Sequence, residues 1–123
     1  MVIHDLKPVL PGSGFFICSR LKNREGNWAT RDDFSEVTVR VVEEETGTLV
    51  SSSAPAVADI VFDSLQLDGR WSKDRLGYNF CLPTAATDTP DADTTYLFKV
   101  KLTGDGSPML EYFRVRTLAP TFI

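Results

Sequence analysis

The stretch Tyr96-Leu97-Phe98-Lys99-Val100-Lys101-Leu102 puts Tyr96, Phe98, Val100 and Leu102 at every second position, with Leu97, Lys99 and Lys101 between them. Successive side chains of a strand point to opposite faces, so a period of two describes a strand with one face in a core and the other in solvent. The same pattern recurs on both sides. Val37, Val39 and Val41 alternate with Thr38, Arg40 and Val42, and the Thr46-Gly47 turn then leads to the apolar pair Leu49-Val50, which predicts a hairpin. Tyr78, Phe80 and Leu82 alternate and end at Pro83. A last strand runs from Tyr112 to Arg116 after the turn cluster Gly104-Asp105-Gly106-Ser107-Pro108, and an opening strand from Phe15 to Cys18 follows the Pro11-Gly12-Ser13-Gly14 break.

Residues 57–65 carry two signals. Val57, Ile60, Val61 and Leu65 have helical spacing behind the start signal Ser53-Ala54-Pro55, whereas the cluster Ile60-Val61-Phe62, closed by Asp63-Ser64, favours a strand. A strand is expected there. These elements predict an all-β fold, a single antiparallel β-sandwich of six to eight strands over residues 15–118. Residues 1–14 are expected to form a loose N-terminal segment and residues 119–123 a tail. The buried parity assigns Val39, Phe80, Phe98, Val100 and Phe113 to the core.

A chain of 123 residues fits one domain, and 42% hydrophobic with 24% charged residues is the composition of a globular one. A formal charge of −4 argues against a dedicated nucleic-acid binder. No apolar run approaches the ~20 residues of a membrane span, and no charged segment precedes an apolar stretch at Met1, so no membrane partner and a cytoplasmic location are expected.

The residue types that carry most catalysis are scarce. His4 is the one histidine, and it lies in the terminal segment, a poor place for a Ser-His-Asp or Cys-His arrangement. Neither a Gly-rich phosphate loop nor a GxSxG elbow occurs. Seventeen acidic residues guarantee close carboxylates without specifying a pair, so a glycosidase-like pair is the least implausible enzymatic form. The expectation is a protein that is not an enzyme and has no cofactor. Cys18 and Cys81 lack the spacing of a zinc site or a CxxC pair. Cys81 shares parity with Asn79, and Cys18 with Phe16 and Arg20, which favours two free thiols over a disulfide across the sandwich. Asp88, Asp91 and Asp93 offer the hard oxygens that calcium takes, but without the EF-hand pattern, so a solvated turn is the simpler account and no metal is expected. Glu43-Glu44-Glu45 reads as a solvated strand end that discourages edge pairing.

The aromatic and basic residues point to binding. Trp71, between Arg70 and Ser72, is expected to plug the core or its rim, whereas Trp28, in a polar loop after Gly26-Asn27, is free to meet a partner. In the final hairpin, Val100 is expected opposite Phe113 and Phe98 opposite Val115. That register sets Lys99 against Arg114 and Lys101 against Tyr112, with Arg116 one step along, and like charges directly opposed are unfavourable. Lys99, Lys101, Tyr112, Arg114 and Arg116, with Trp28, are therefore the predicted partner-binding residues, a basic and aromatic stripe that would steer an acidic partner. The alternative is a solvated face whose charge is balanced by Glu111 or residues 43–45.

Gly26 in an early loop, Val37-Thr38-Val39-Arg40-Val41, Thr46-Gly47-Thr48-Leu49-Val50, Arg70-Trp71, Leu76-Gly77-Tyr78-Asn79-Phe80 and the Tyr96 strand follow one another over most of the chain. The succession resembles the small immunoglobulin-like domains of phage tail and baseplate proteins and their prophage relatives. The turn Pro90 to Thr95 before Tyr96 resembles the opening of a late strand in such sandwiches, where the tyrosine hydroxyl bonds to upstream backbone. The resemblance implies a structural or docking module without an active site, acting by self-association or on a protein partner, with a virion-associated location as the alternative to a cytoplasmic one. The alternative function is a domain that binds a small molecule, a carbohydrate or calcium through loops, using Trp28 and the Asp88 to Asp93 turn.

Overall fold

A computed structural model describes residues 3–106 and 108–119. The elements follow in the order β1 (Ile3–Asp5), β2 (Phe16–Ser19), β3 (Glu36–Glu43), β4 (Leu49–Ser53), α1 (Val57–Ile60), β5 (Val61–Gln66), β6 (Tyr78–Pro83), β7 (Thr95–Thr103) and β8 (Met109–Arg116). They form two sheets, one of five strands in the order β1-β8-β7-β3-β4 and one of three in the order β2-β6-β5. One hydrophobic core joins them. Val37, Val39 and Val41 of β3, Phe98, Val100 and Leu102 of β7, and Phe113 and Val115 of β8 meet Ile17 of β2 and Phe80 and Leu82 of β6. Phe80 and Phe113 stack across the interior with ring centroids 6.0 Å apart and planes 2° from parallel. The five core residues assigned from parity are all buried.

The antiparallel expectation fails at one place. β1 runs parallel to β8, pairing Ile3 with Tyr112 and Asp5 with Arg114. The backbone then keeps to that edge, where the Leu6 and Val9 N–H groups donate to the Arg114 and Arg116 carbonyls. The opening segment is thus tied down rather than loose, because β8 offers an unpaired edge and His4 fills the space over Phe113, with ring centroids 5.1 Å apart. Residues 120–123 of the expected tail lie outside the described residues.

Residues 57–65 split between the two signals. Pro55 and the extended Ala56 start a single helical turn, Val57–Ile60, that buries Ile60 and ends where the Val61 N–H donates to the Val57 carbonyl. The chain then continues as β5. Tyr78 also departs from expectation: it packs with Trp71 and Cys81 on the outer side of the three-stranded sheet rather than with Phe80 and Leu82. The register of β5 on β6 shifts between the Val61–Phe80 and Gln66–Tyr78 pairs, with the extra residues on β5, so the regular ladder is interrupted beside Tyr78. Gly77 makes this possible. It has φ +96°, and any Cβ there would meet the Gln66 carbonyl.

The β7–β8 hairpin is the largest correction. Phe98, not Val100, faces Phe113, while Val100 faces Glu111 and Tyr96 faces Val115. Pairing runs to Leu102 and Met109, so β8 begins at Met109, directly after the expected turn cluster, rather than at Tyr112. The slip is two residues, which preserves the buried face and changes every cross-strand partner. Among the described residues, no helix is long and apolar enough to cross a membrane.

Candidate interaction surface

On the outer face of the five-stranded sheet the alternation of β3, β7 and β8 sets side chains in rows. One row reads Arg40, Lys99, Tyr112 and Ile3, and the next Thr38, Lys101 and Leu110. Lys99 therefore lies opposite Tyr112 rather than Arg114, and Lys101 opposite Leu110 rather than Tyr112. A like-charge pair exists all the same, between Lys99 and Arg40 on β3. Thr38, Arg40, Lys99, Lys101, Leu110 and Tyr112 line one shallow groove. Leu110 is 55% exposed, and no ion pair among the described residues engages Arg40, Lys99 or Lys101.

Arg114 and Arg116 leave this group. Arg114 Nε donates to Asp5 Oδ1 and its Nη1 to Glu44 Oε1, each at 2.7 Å, and the two carboxylates raise the guanidinium's pKa above its ordinary value. Arg116 pairs with Asp93. Both arginines sit at the rim where acidic residues of β1, the β3–β4 turn and the Asp93 loop converge, so they are neutralised. Glu111 does not compensate the stripe, since it is on the opposite parity and meets His4 Nε2 at 3.0 Å.

Trp28 belongs to a different surface, beside the three-stranded sheet. It is 42% exposed, with Lys22 Nζ 5.2 Å and the Arg20 guanidinium 5.8 Å from its ring centre. Arg20 also covers Trp71 at 5.3 Å and is held by Asp74. Trp71 is 8% exposed and donates its indole N–H to Asp74 Oδ1 at 3.0 Å, which makes it the rim plug that was expected. Arg70 lies over Phe16 and Tyr78 and pairs with Asp68. The cation–aromatic pairs of this side are largely satisfied among themselves.

The acidic loop is similarly occupied. Asp88 accepts from Ser51 Oγ at 2.6 Å and from the Ala85 N–H at 2.8 Å, while the Asp91 carbonyl accepts from Thr117 Oγ1. The Asp91 N–H donates to the Tyr96 hydroxyl oxygen at 2.9 Å. No group of three or more His, Cys, Asp or Glu side chains converges on a metal position among the described residues.

Arg40, Thr38 and Leu110 escaped the sequence reading. Arg40 was legible as an outward residue of β3, but its neighbour on β7 depends on which strands pair. Leu110 was hidden because it falls between the turn cluster, which ends at Pro108, and the strand expected from Tyr112. Compared with protein-family models, with curated protein sequences and with solved structures, the chain finds no significant match, so its surface is read from its own residues.

Proposed function

We propose that this chain is a non-enzymatic, immunoglobulin-like assembly module that uses the Arg40, Lys99, Lys101, Leu110 and Tyr112 face to dock an acidic protein surface, in the first instance that of a second copy. The observation that carries it is a cluster of three cations without carboxylate partners among the described residues, around two apolar contacts, on a chain of net charge −4. Setting those three cations aside leaves −7 on the rest of the chain, and Glu43 and Glu45 line one rim beside the Arg116–Asp93 pair. A basic face and an acidic rim on the same molecule are complementary between copies, and a contact of this head-to-tail kind builds rings or filaments. The strand order supports the immunoglobulin-like assignment: β2, β5 and β6 share one sheet and β1, β3, β4, β7 and β8 the other, with the chain crossing between sheets after β1, β2, β4 and β6. The Tyr96 contact adds to it, and the resemblance to phage tail and baseplate domains fits an assembly role.

Light scattering over a concentration series tests the reading. Wild type is expected to associate at low salt and dissociate as ionic strength rises, and the Lys99→Glu, Lys101→Glu double variant is expected to stay monomeric. Equal masses for the two proteins at every salt concentration would overturn self-assembly through this face. A second reading, ligand binding at Trp28, draws on the exposure of that ring beside Lys22.

A further inference from the structure

We propose that Cys18 and Cys81 form a thiol–disulfide exchange site on the outer side of the three-stranded sheet, which closes to an intramolecular disulfide at the expense of a small anionic disulfide. The two residues are direct partners in the antiparallel β2–β6 register, and the Cys18 S–H donates to Cys81 Sγ at 3.0 Å. Opposed residues of an antiparallel pair have Cα atoms about 4.5–5.5 Å apart, within the roughly 4.4–6.8 Å that a disulfide accepts, so closure needs no rearrangement of the sheet. Both thiols are unbonded. Their roles differ by position. Cys18 lines a groove with Phe16, Lys7, Arg70, Trp71 and Lys73, open to a small molecule, whereas Cys81 is buried beneath Trp71 and Tyr78. Lys7 and Lys73 line the groove without an ion-pair partner among the described residues, Arg70 being held by Asp68 and Asp5 by Arg114, which suits an anionic oxidant such as glutathione disulfide.

The exchange takes two displacements. Cys18 Sγ, its proton passing to solvent, attacks one sulfur of the external disulfide, forms a mixed disulfide and expels one thiolate. Cys81 Sγ then attacks Cys18 Sγ, forms the Cys18–Cys81 bond, loses its own proton and expels the second thiolate. Two protein thiols are oxidised, one external disulfide is reduced, and the two released protons reprotonate the leaving thiolates. Between the reduced thiols the shared S–H bond raises the Cys18 pKa and lowers that of Cys81, so Cys18 is the entry thiol by its position on the groove and not by acidity. Once the mixed disulfide has removed that bond, the nearby Arg70 guanidinium still favours the Cys81 thiolate that resolves it.

The test is intact-mass analysis of the reduced, folded chain after incubation in glutathione redox buffers, with alkylation under denaturing conditions. Wild type is expected to lose the mass of two hydrogen atoms and both alkylatable thiols, and to recover them with dithiothreitol. Cys81→Ala, with folding checked by circular dichroism, is expected to stop at a glutathione adduct on Cys18, and Cys18→Ala to remain unmodified. Wild type that keeps two free thiols throughout, accumulates the Cys18 adduct without closing, or cross-links between chains would overturn the proposal. An adduct on Cys81 of the Cys18→Ala variant would overturn the assignment of Cys18 as the entry thiol.

Discussion

Asn79 is buried with both ends of its amide in use. Its Oδ1 accepts from the Leu21 N–H at 2.7 Å, and its Nδ2 donates to the Leu21 and Ala29 carbonyls at 2.9 and 3.0 Å. The Leu21 carbonyl has a second donor in the Ala29 N–H, so truncation orphans the Leu21 N–H and the Ala29 carbonyl. Asn79→Ala is therefore expected to cost about 2–6 kcal/mol, from roughly 1–3 for each of the two buried unsatisfied groups, measured by urea unfolding. This role was not legible: Asn79 looked like an outward polar residue of a half-buried strand, and only the return of residues 21 and 29 to β6 buries it. The Asp68 and Asp74 carboxyls show a pH-dependent counterpart. Arg70 holds the first, and Arg20 the second, well below the ordinary carboxylate range. Because their folded values are depressed, the stability they add is complete above the unfolded value of about 3.9 and is lost as pH falls from there toward the folded values. The thermal midpoint is expected to fall between about pH 4 and pH 2, less steeply in Asp74→Asn, and less at high salt because both groups are exposed.

At the scale of the element, alternation gave the strands and the buried face, but not the partners. A slip of two residues leaves parity untouched, so Phe98, Val100 and Phe113 were placed inside under either register, whereas the neighbour of Lys99 changed from Arg114 to Tyr112. The end of pairing at Leu102 and Met109 fixes the register. Gly104 packs there with no room for a Cβ against the Asp33 carbonyl, a constraint that sequence spacing does not display. β1 stayed hidden for another reason, since three residues with a polar centre carry no period. The corrected register makes a discriminating test. Lys99→Glu replaces a like-charge pair with Arg40 by an opposite one, so the variant is expected to be more stable than wild type by a few tenths of a kcal/mol in denaturant unfolding, while its self-association is lost. Loss of both together would mean the sheet itself had been damaged.

For the whole molecule, two sheets of unequal width enclose one core, and the centre of that core is aromatic. Phe80 is fully buried and stacks on Phe113, so Phe80→Ala is expected to cost about 3–5 kcal/mol in urea unfolding, with a cost below about 1 kcal/mol contradicting the packing described. The all-β class was readable because its strands announce themselves locally. The candidate surface was readable only in part, because a patch is assembled across strands: Lys99, Lys101 and Tyr112 stayed together, Arg114 and Arg116 were drawn into ion pairs with Asp5, Glu44 and Asp93, and Trp28 fell on another side. The central claim is that the free cations of β3 and β7 dock the acidic rim of another copy, and amide and side-chain nuclear magnetic resonance shifts followed over a dilution series at low salt test it most directly. The shifts are expected to move at Arg40, Lys99, Lys101, Leu110 and Tyr112 and at Glu43 to Glu45, and to stop moving at high salt. Shifts confined to the Trp28 indole and its neighbours, or spectra independent of concentration, would contradict it.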